Sequence, residues 1–187
     1  MNGTTIGVDL AKNVYEVCVE NEVGHVVERR RLSRKKLLPW FATRSPAVVG
    51  LEACGGAHYW GRALEQLGHE VRVIAPQYVK PWVQTNKSDR ADARAICRAV
   101  QAPGMRFVGL ATEGQQAVQA LHRVRSRVMG NRTALINQIR GILLEYGVAV
   151  PQGVTALRKA LPLLLAEERW SPLMHQFLTE QQAELTY

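Results

Sequence analysis

The fold turns on the stretch Thr5–Leu32, TIGVDLAKNVYEVCVENEVGHVVERRRL. Thr5–Leu10 is apolar at Ile6 and Val8 with Gly7 between them, the pattern of a buried strand. Val14–Glu20 alternates apolar and polar residues, and His25–Leu32 does so again. Asn21–Gly24 is a polar connection of hairpin length. Three strands joined by tight turns predict an antiparallel meander at the start of the chain.

Working outward, Ser33 reads as the N-cap of a helix over Arg34–Thr43. Ala47–Ala53 is an apolar run carrying Glu52 near its end, as expected of a central strand. Gly55-Gly56 breaks it, and His58–Leu67 follows as a helix closed by Gly68. Glu70–Ala75 is a further strand stopped by Pro76. A short helix is expected around Gln77–Val83, and Ser88 is placed to cap another over Asp89–Val100. The order β-β-β-α-β-α-β-α, with an extra helix late, predicts an α/β fold of the ribonuclease-H-like kind, a mixed sheet with flanking helices. A doubly wound dinucleotide fold would begin βαβ instead.

After Pro103-Gly104 the pattern changes, so residues 1–104 are expected to form the sheet domain and 105–187 a helical region. Glu113–Tyr146 lacks proline and carries apolar residues at Leu121, Val124, Val128, Leu135, Ile139, Ile142 and Tyr146, with Asn131 at one seam position. Steps of three and four repeat, with a stutter at 131-135-139, as in a coiled coil. Pairing with a second copy is one reading; antiparallel packing on the later helices is the other. Thr155–Glu167 is expected as a helix interrupted by Pro162, and a last helix runs from Ser171-Pro172 through Leu185.

Lys and Arg number 24 against 16 acids, a formal charge of +8, which favours a polyanionic partner without excluding a merely basic protein. Aromatic residues are too sparse, at 6%, for a single-strand stacking platform. Cys18, Cys54 and Cys97 are widely spaced and have apolar neighbours, so they read as buried thiols rather than a disulfide framework or zinc site. There is no signal-like N-terminus and no membrane-length apolar run, so a cytoplasmic protein without a membrane partner is expected.

Asp9 and Glu52 each end an apolar strand, where an ionised carboxylate is costly unless it meets a cation or several donors. Asp89 and Asp92 stand at i and i+3 and share a helix face. Taken singly, each has a plain alternative, a turn contact or a first-turn acid complementing the helix dipole. Together, four carboxylates from three elements make a hard-oxygen site suited to Mg²⁺ or Mn²⁺.

Gly7-Val8-Asp9-Leu10-Ala11-Lys12, Gly50-Leu51-Glu52-Ala53 and Lys87-Ser88-Asp89-Arg90-Ala91-Asp92-Ala93 occur in that order within the first hundred residues, ahead of the long helix. In this the chain resembles the DEDD-type insertion-sequence transposases, a group that includes bridge-RNA-guided recombinases and Piv-like invertases. The resemblance implies a RuvC-like fold. It also implies that Asp9, Glu52, Asp89 and Asp92 are the acids that bind divalent metal and serve catalysis. DNA is the implied partner, with a structured guide RNA as a further one and a homodimer or higher oligomer formed through the coiled coil. Members carry a C-terminal domain with a nucleophilic serine, which this sequence is expected to lack. Two functions therefore stand: the N-terminal part of a transposase acting by phosphodiester cleavage and joining, or a non-catalytic nucleic-acid-binding and assembly module.

Lys12 and Lys87 flank the acids and could hold a phosphate, with solvated lysine the equal alternative for Lys12. Arg90, Lys80, and Arg123 and Arg127 on the long helix are further nucleic-acid candidates. Arg29-Arg30-Arg31 with Arg34-Lys35-Lys36 reads either as a groove for nucleic acid or as a charged edge strand. His58, Trp40, Trp60 and Trp82 read as packing residues. An actin-like sugar kinase also begins with an acid on its first hairpin, but Ala11-Lys12-Asn13 is not a Gly- and Thr-rich phosphate turn.

Overall fold

The computed structural model describes residues 3–83 and 89–186, with residues 89, 90 and 186 described by their backbone alone. The chain divides into two compact units, Met1–Glu113 and Gly114–Tyr187.

The first unit is built on a six-stranded sheet in the order β3-β2-β1-β4-β5-β6. The strands are β1 (Thr5–Asp9), β2 (Val14–Glu20), β3 (Val26–Ser33), β4 (Val48–Glu52), β5 (Glu70–Ile74) and β6 (Phe107–Val108). β1, β2 and β3 form the expected antiparallel meander, while β4 runs parallel to both β1 and β5. This is the ribonuclease-H-like, RuvC-like arrangement expected from the order of elements. The β2–β3 turn is held locally: the Asn21 side-chain oxygen accepts the N–H groups of Val23 and His25, and Gly24 takes φ 76°. β6, paired antiparallel to β5, has no counterpart in the sequence reading because it is two exposed residues long.

Side-chain alternation gives the sheet two buried faces. Ile6, Val8, Val17, Val19, Val49 and Leu51 pack with Leu37 and Phe41 of α1 (Leu37–Ala42) and Trp60 and Leu64 of α2 (Ala57–Gln66). Each such large side chain contributes roughly 1.5–3 kcal/mol on burial. Gly7 and Gly50 lie on the other face. A Cβ on Gly7 would stand 2.2 Å from the carbonyl oxygen of Ala93, and one on Gly50 would stand 2.3 Å from Val100 Cγ2. These two glycines therefore let α4 (Asp89–Gln101) lie directly on β1 and β4. Between β5 and α4 come α3 (Pro76–Val79) and a 3-10 turn over Lys80–Trp82.

Three local expectations change. Ser33 ends β3 and makes no side-chain cap; a 3-10 turn, Arg34–Lys36, leads into α1. Trp40 and Trp60 pack as expected, but Trp82 is exposed. Cys18 and Cys97 are buried, whereas Cys54 is exposed on the turn after β4.

The second unit holds the long helix α5 (Glu113–Glu145), α6 (Val154–Leu165) and α7 (Pro172–Thr186). α5 ends in a glycine cap: Gly147, at φ 74°, donates to Leu144 O and Val148 donates to Leu143 O, both at 2.9 Å. Leu135, Ile139 and Leu143 are buried against Leu157, Leu161 and Leu178. The seven-position stripe is thus divided. Its middle is covered by the chain's own α6 and α7, while Leu121, Val124, Val128 and Tyr146 are exposed. Pro162 lies inside α6 and does not interrupt it, since Leu157, Leu161 and Leu164 hold both halves in one core. Among the described residues no helix is long and apolar enough to cross a membrane.

Candidate functional site

β1 and β4 are parallel neighbours paired through Val8↔Leu51, and the next residue on each strand is Asp9 and Glu52. Two acids thus end adjacent strands, at an interstrand spacing of about 4.8 Å. Asp9 is two residues past Gly7 and Glu52 two past Gly50, so both belong to the face covered by α4. Both are half-buried.

α4 runs antiparallel to these strands. The Cys97 thiol lies 3.9 Å from Thr5 O, while Gly7 meets Ala93, four helix residues earlier. Four helix residues advance about 6 Å and two strand residues about 6.6 Å. A further step of the same size brings position 89 to the level of Asp9. Asp92, three residues along α4 from Asp89, is half-buried. Asp89 opens the helix, and only its backbone is described. Asp9 and Glu52 thus end neighbouring strands on the face that α4 covers, while among the described residues the ligand atoms of Asp9, Glu52 and Asp92 do not come together as a group of three within 4.8 Å.

Cys54 reports on the charge at this end. Its Sγ turns toward Leu10 O at 3.8 Å although the residue as a whole is exposed. Burial of the thiol raises its pKa, and the carboxylates of Glu52 and Asp9 push it further in the same direction. One side chain thus feels both strand-end acids. Such carboxylates repel one another, and a hard divalent cation relieves the repulsion. All-oxygen donors from two strands and a helix fit Mg²⁺ or Mn²⁺ by type and charge.

The sequence reading missed Glu16. It is the cross-strand partner of Asp9, and Arg31 lies 3.4 Å from it. Counting back from the β1–β2 turn would have found it, because residues 9 and 16 are symmetric about that turn. Asp9, Lys12, Asn13, Glu16 and Arg31 line a depression of about 280 Å³. Lys12 is exposed on its rim. Lys87 and Ser88 lie outside the described residues, and Arg90 is described by its backbone alone. Arg123 and Arg127 are exposed on α5, in the second unit. His58 has a packing role, its Nδ1 accepting the N–H of Ala111 at 3.2 Å. The basic run falls partly on β3, which is an edge strand, and Arg30 there is paired with Glu28 at 2.7 Å. Arg34 lies over the Trp60 ring at 5.1 Å.

The chain is 47% identical over 189 residues to a probable family 20 transposase of Pseudomonas aeruginosa, covering 99% of this chain and 56% of that protein. It is 41% identical to the transposase for insertion sequence element IS1328 of Yersinia enterocolitica, covering 95% of this chain and 53% of that protein. To the transposase for IS1111A of Coxiella burnetii it is 45% identical, over 87% of this chain and 45% of that protein. The chain thus spans about half the length of the curated relatives it matches. Among solved structures, T. thermophilus RuvC in complex with a Holliday junction substrate aligns at TM-score 0.42 and 14% identity, over 56% of this chain and 99% of that one. A family model described as a transposase, of the DEDD IS110 type, matches residues 6–148. With its strand-end acids, its α4 and all of α5 inside that match, the chain belongs to the DEDD transposase family of the IS110 type.

Proposed function

We propose that this chain is the metal-binding N-terminal part of a DNA transposase, with Asp9, Glu52, Asp89 and Asp92 holding Mg²⁺ or Mn²⁺. The observation that carries the proposal is that Asp9 and Glu52 end adjacent parallel strands on the face of the sheet covered by α4, the helix that carries Asp89 and Asp92. A divalent cation bound there would polarise a phosphodiester oxygen and lower the pKa of a coordinated water or hydroxyl. The chain's own contribution is positional. The sheet and α4 fix the carboxylates, and Lys12 on the rim of the depression supplies a cation for an incoming phosphate. DNA is the proposed substrate, met in the cytoplasm, with a guide RNA as a second nucleic-acid partner.

A second reading is an assembly and binding module, in which α5 carries the function. Its support is the exposed apolar set Leu121, Val124 and Val128 beside exposed Arg123 and Arg127. In that reading the apolar residues pair with a second copy and the arginines take phosphates.

A salt-dependent titration of the chain against duplex DNA and structured RNA, with and without Mg²⁺, tests both. We expect log affinity to fall linearly with log salt. Replacing Arg123 and Arg127 by Ala should reduce the slope by about one for each phosphate no longer neutralised. Glu52→Gln should abolish the Mg²⁺ effect and leave that slope unchanged. Salt-insensitive binding would contradict both readings; a Mg²⁺ effect surviving Glu52→Gln would contradict the first alone.

A further inference from the structure

The α4-covered face of the sheet holds a second group, separate from the strand-end acids. Cys18 and Glu20 on β2 and Cys97 on α4 bring two thiol sulfurs and a carboxylate oxygen within 4.8 Å of one another. All three residues are buried, with exposures of 1%, 1% and 0%. The Glu20 Oε1 atom has no hydrogen-bond partner among the described residues. Arg94 Nε lies 3.5 Å away and is likewise without one, so the two face each other as an ion pair that no hydrogen bond completes. A buried carboxylate oxygen left in this state is costly, and a carboxylate oxygen of the same side chain stands among the two sulfurs.

We propose that Cys18, Glu20 and Cys97 form a binding site for a thiophilic divalent cation of the zinc class, which fastens α4 to β2. Sulfur donors select such an ion over the hard cation proposed for the strand-end acids. Zinc–sulfur bonds of about 2.3 Å and zinc–oxygen bonds of about 2.0–2.2 Å require the three ligand atoms to close only modestly from their present spacing. The fourth position of a tetrahedral ion is left to water.

Charge balances. Without the ion, the negative Glu20 faces the positive Arg94 and both thiols are neutral. On binding, two S–H bonds break, two S–metal bonds form and two protons leave to solvent. The dication and the two thiolates cancel, so the net buried charge does not change, and no oxidant or reductant is needed. The two thiols are already unequal. A hydrogen bond from Cys97 holds the Cys18 thiol below its ordinary pKa, and the same bond together with burial pushes Cys97 up. Affinity should accordingly rise with pH by up to about a hundredfold per unit while two protons are released.

The consequence concerns the acids. α4 begins at Asp89 and carries Asp92, so a metal at Cys97 restrains the helix that delivers half of the acidic set. A Cys54→Ser chain tests the site, because it removes the exposed thiol next to Glu52 and leaves only Cys18 and Cys97. The chain, reduced with a phosphine and freed of metal by a chelator, is titrated with Cd²⁺ in excess Mg²⁺. We expect thiolate-to-metal charge-transfer absorbance that saturates at one equivalent, release of two protons, and a raised melting temperature. Zn²⁺ added first should suppress the Cd²⁺ signal. Glu20→Gln in the same background should weaken Cd²⁺ binding at least about tenfold. Cd²⁺ bound without thiolate absorbance, or absorbance with no saturation, would overturn the proposal even if a variant at Cys18 or Cys97 failed to fold. Unchanged affinity in Glu20→Gln would remove the carboxylate from the site.

Discussion

Glycine does opposite things in the two units. Gly7 and Gly50 sit where a helix touches a sheet, and neither has room for a methyl group. Gly130 and Gly141 lie inside α5 with nothing within 4 Å of where a Cβ would stand. In the first unit the missing side chains set how closely α4 approaches β1 and β4, and hence where its acids stand. In the second, neither glycine sets a contact within its own unit. One region is fixed by contact from both sides; the other presents a surface that its own unit leaves uncovered.

The contrast between the units fails most visibly if the same substitution has the same sign in both places. Gly7→Ala pushes a methyl group into the backbone of Ala93, where no flexible side chain can yield. We expect destabilisation at or above about 3 kcal/mol by denaturant unfolding. Gly130→Ala should instead stabilise by about 0.5–1 kcal/mol, because alanine loses less backbone freedom in a helix. Equal effects at both positions would remove the distinction.

The exposed part of α5 tests the second unit's side of the contrast. Leu121 is 69% and Val128 54% exposed, too apolar a stripe to leave facing water without consequence. Replacing both by Glu should leave the melting temperature of dilute protein nearly unchanged. It should also weaken self-association at least tenfold, about 1.4 kcal/mol, by sedimentation. Wild-type protein that stays monomeric at high concentration would contradict the pairing role.

These contrasts also show what could be read in the residues alone. Asp9 and Glu52 were legible because an acid ending an apolar strand is an anomaly, and anomalies carry information. Glu20 was not, since an acid alternating with valines looks like a solvent-facing residue until α4 is laid over it. The stripe from Leu121 to Tyr146 was legible as a helix but not as two differently covered stretches. Periodicity reports that a face is apolar, not what covers it, and α6 and α7 reach only Leu135, Ile139 and their neighbours. Pro162 was over-read as a break because the packing of Leu157, Leu161 and Leu164 is a tertiary effect.

The smallest expected effect concerns the sheet edge. Burial pulls the Glu28 carboxyl upward, but hydrogen bonds from Arg30 and Arg44 outweigh it and hold the group below its ordinary value. A carboxyl depressed in the folded state adds stability fully above its unfolded pKa of about 4.3 and loses it as pH falls through the folded value. Glu28→Gln should therefore cost less than about 1 kcal/mol at neutral pH, given partly exposed partners, and almost nothing at strongly acid pH. A penalty that grows on acidification would reverse the assignment.

The central claim is that the strand ends and the start of α4 form one divalent-metal site. Mn²⁺ binding followed by electron paramagnetic resonance tests it directly, using the Cys54→Ser chain, since a hard ion such as Mn²⁺ prefers carboxylate oxygens to the remaining thiols. Asp9→Asn, Glu52→Gln and Asp92→Asn should each weaken Mn²⁺ binding at least about tenfold while circular dichroism shows the fold retained. Undiminished Mn²⁺ affinity in the folded Asp9→Asn and Glu52→Gln chains would contradict the account.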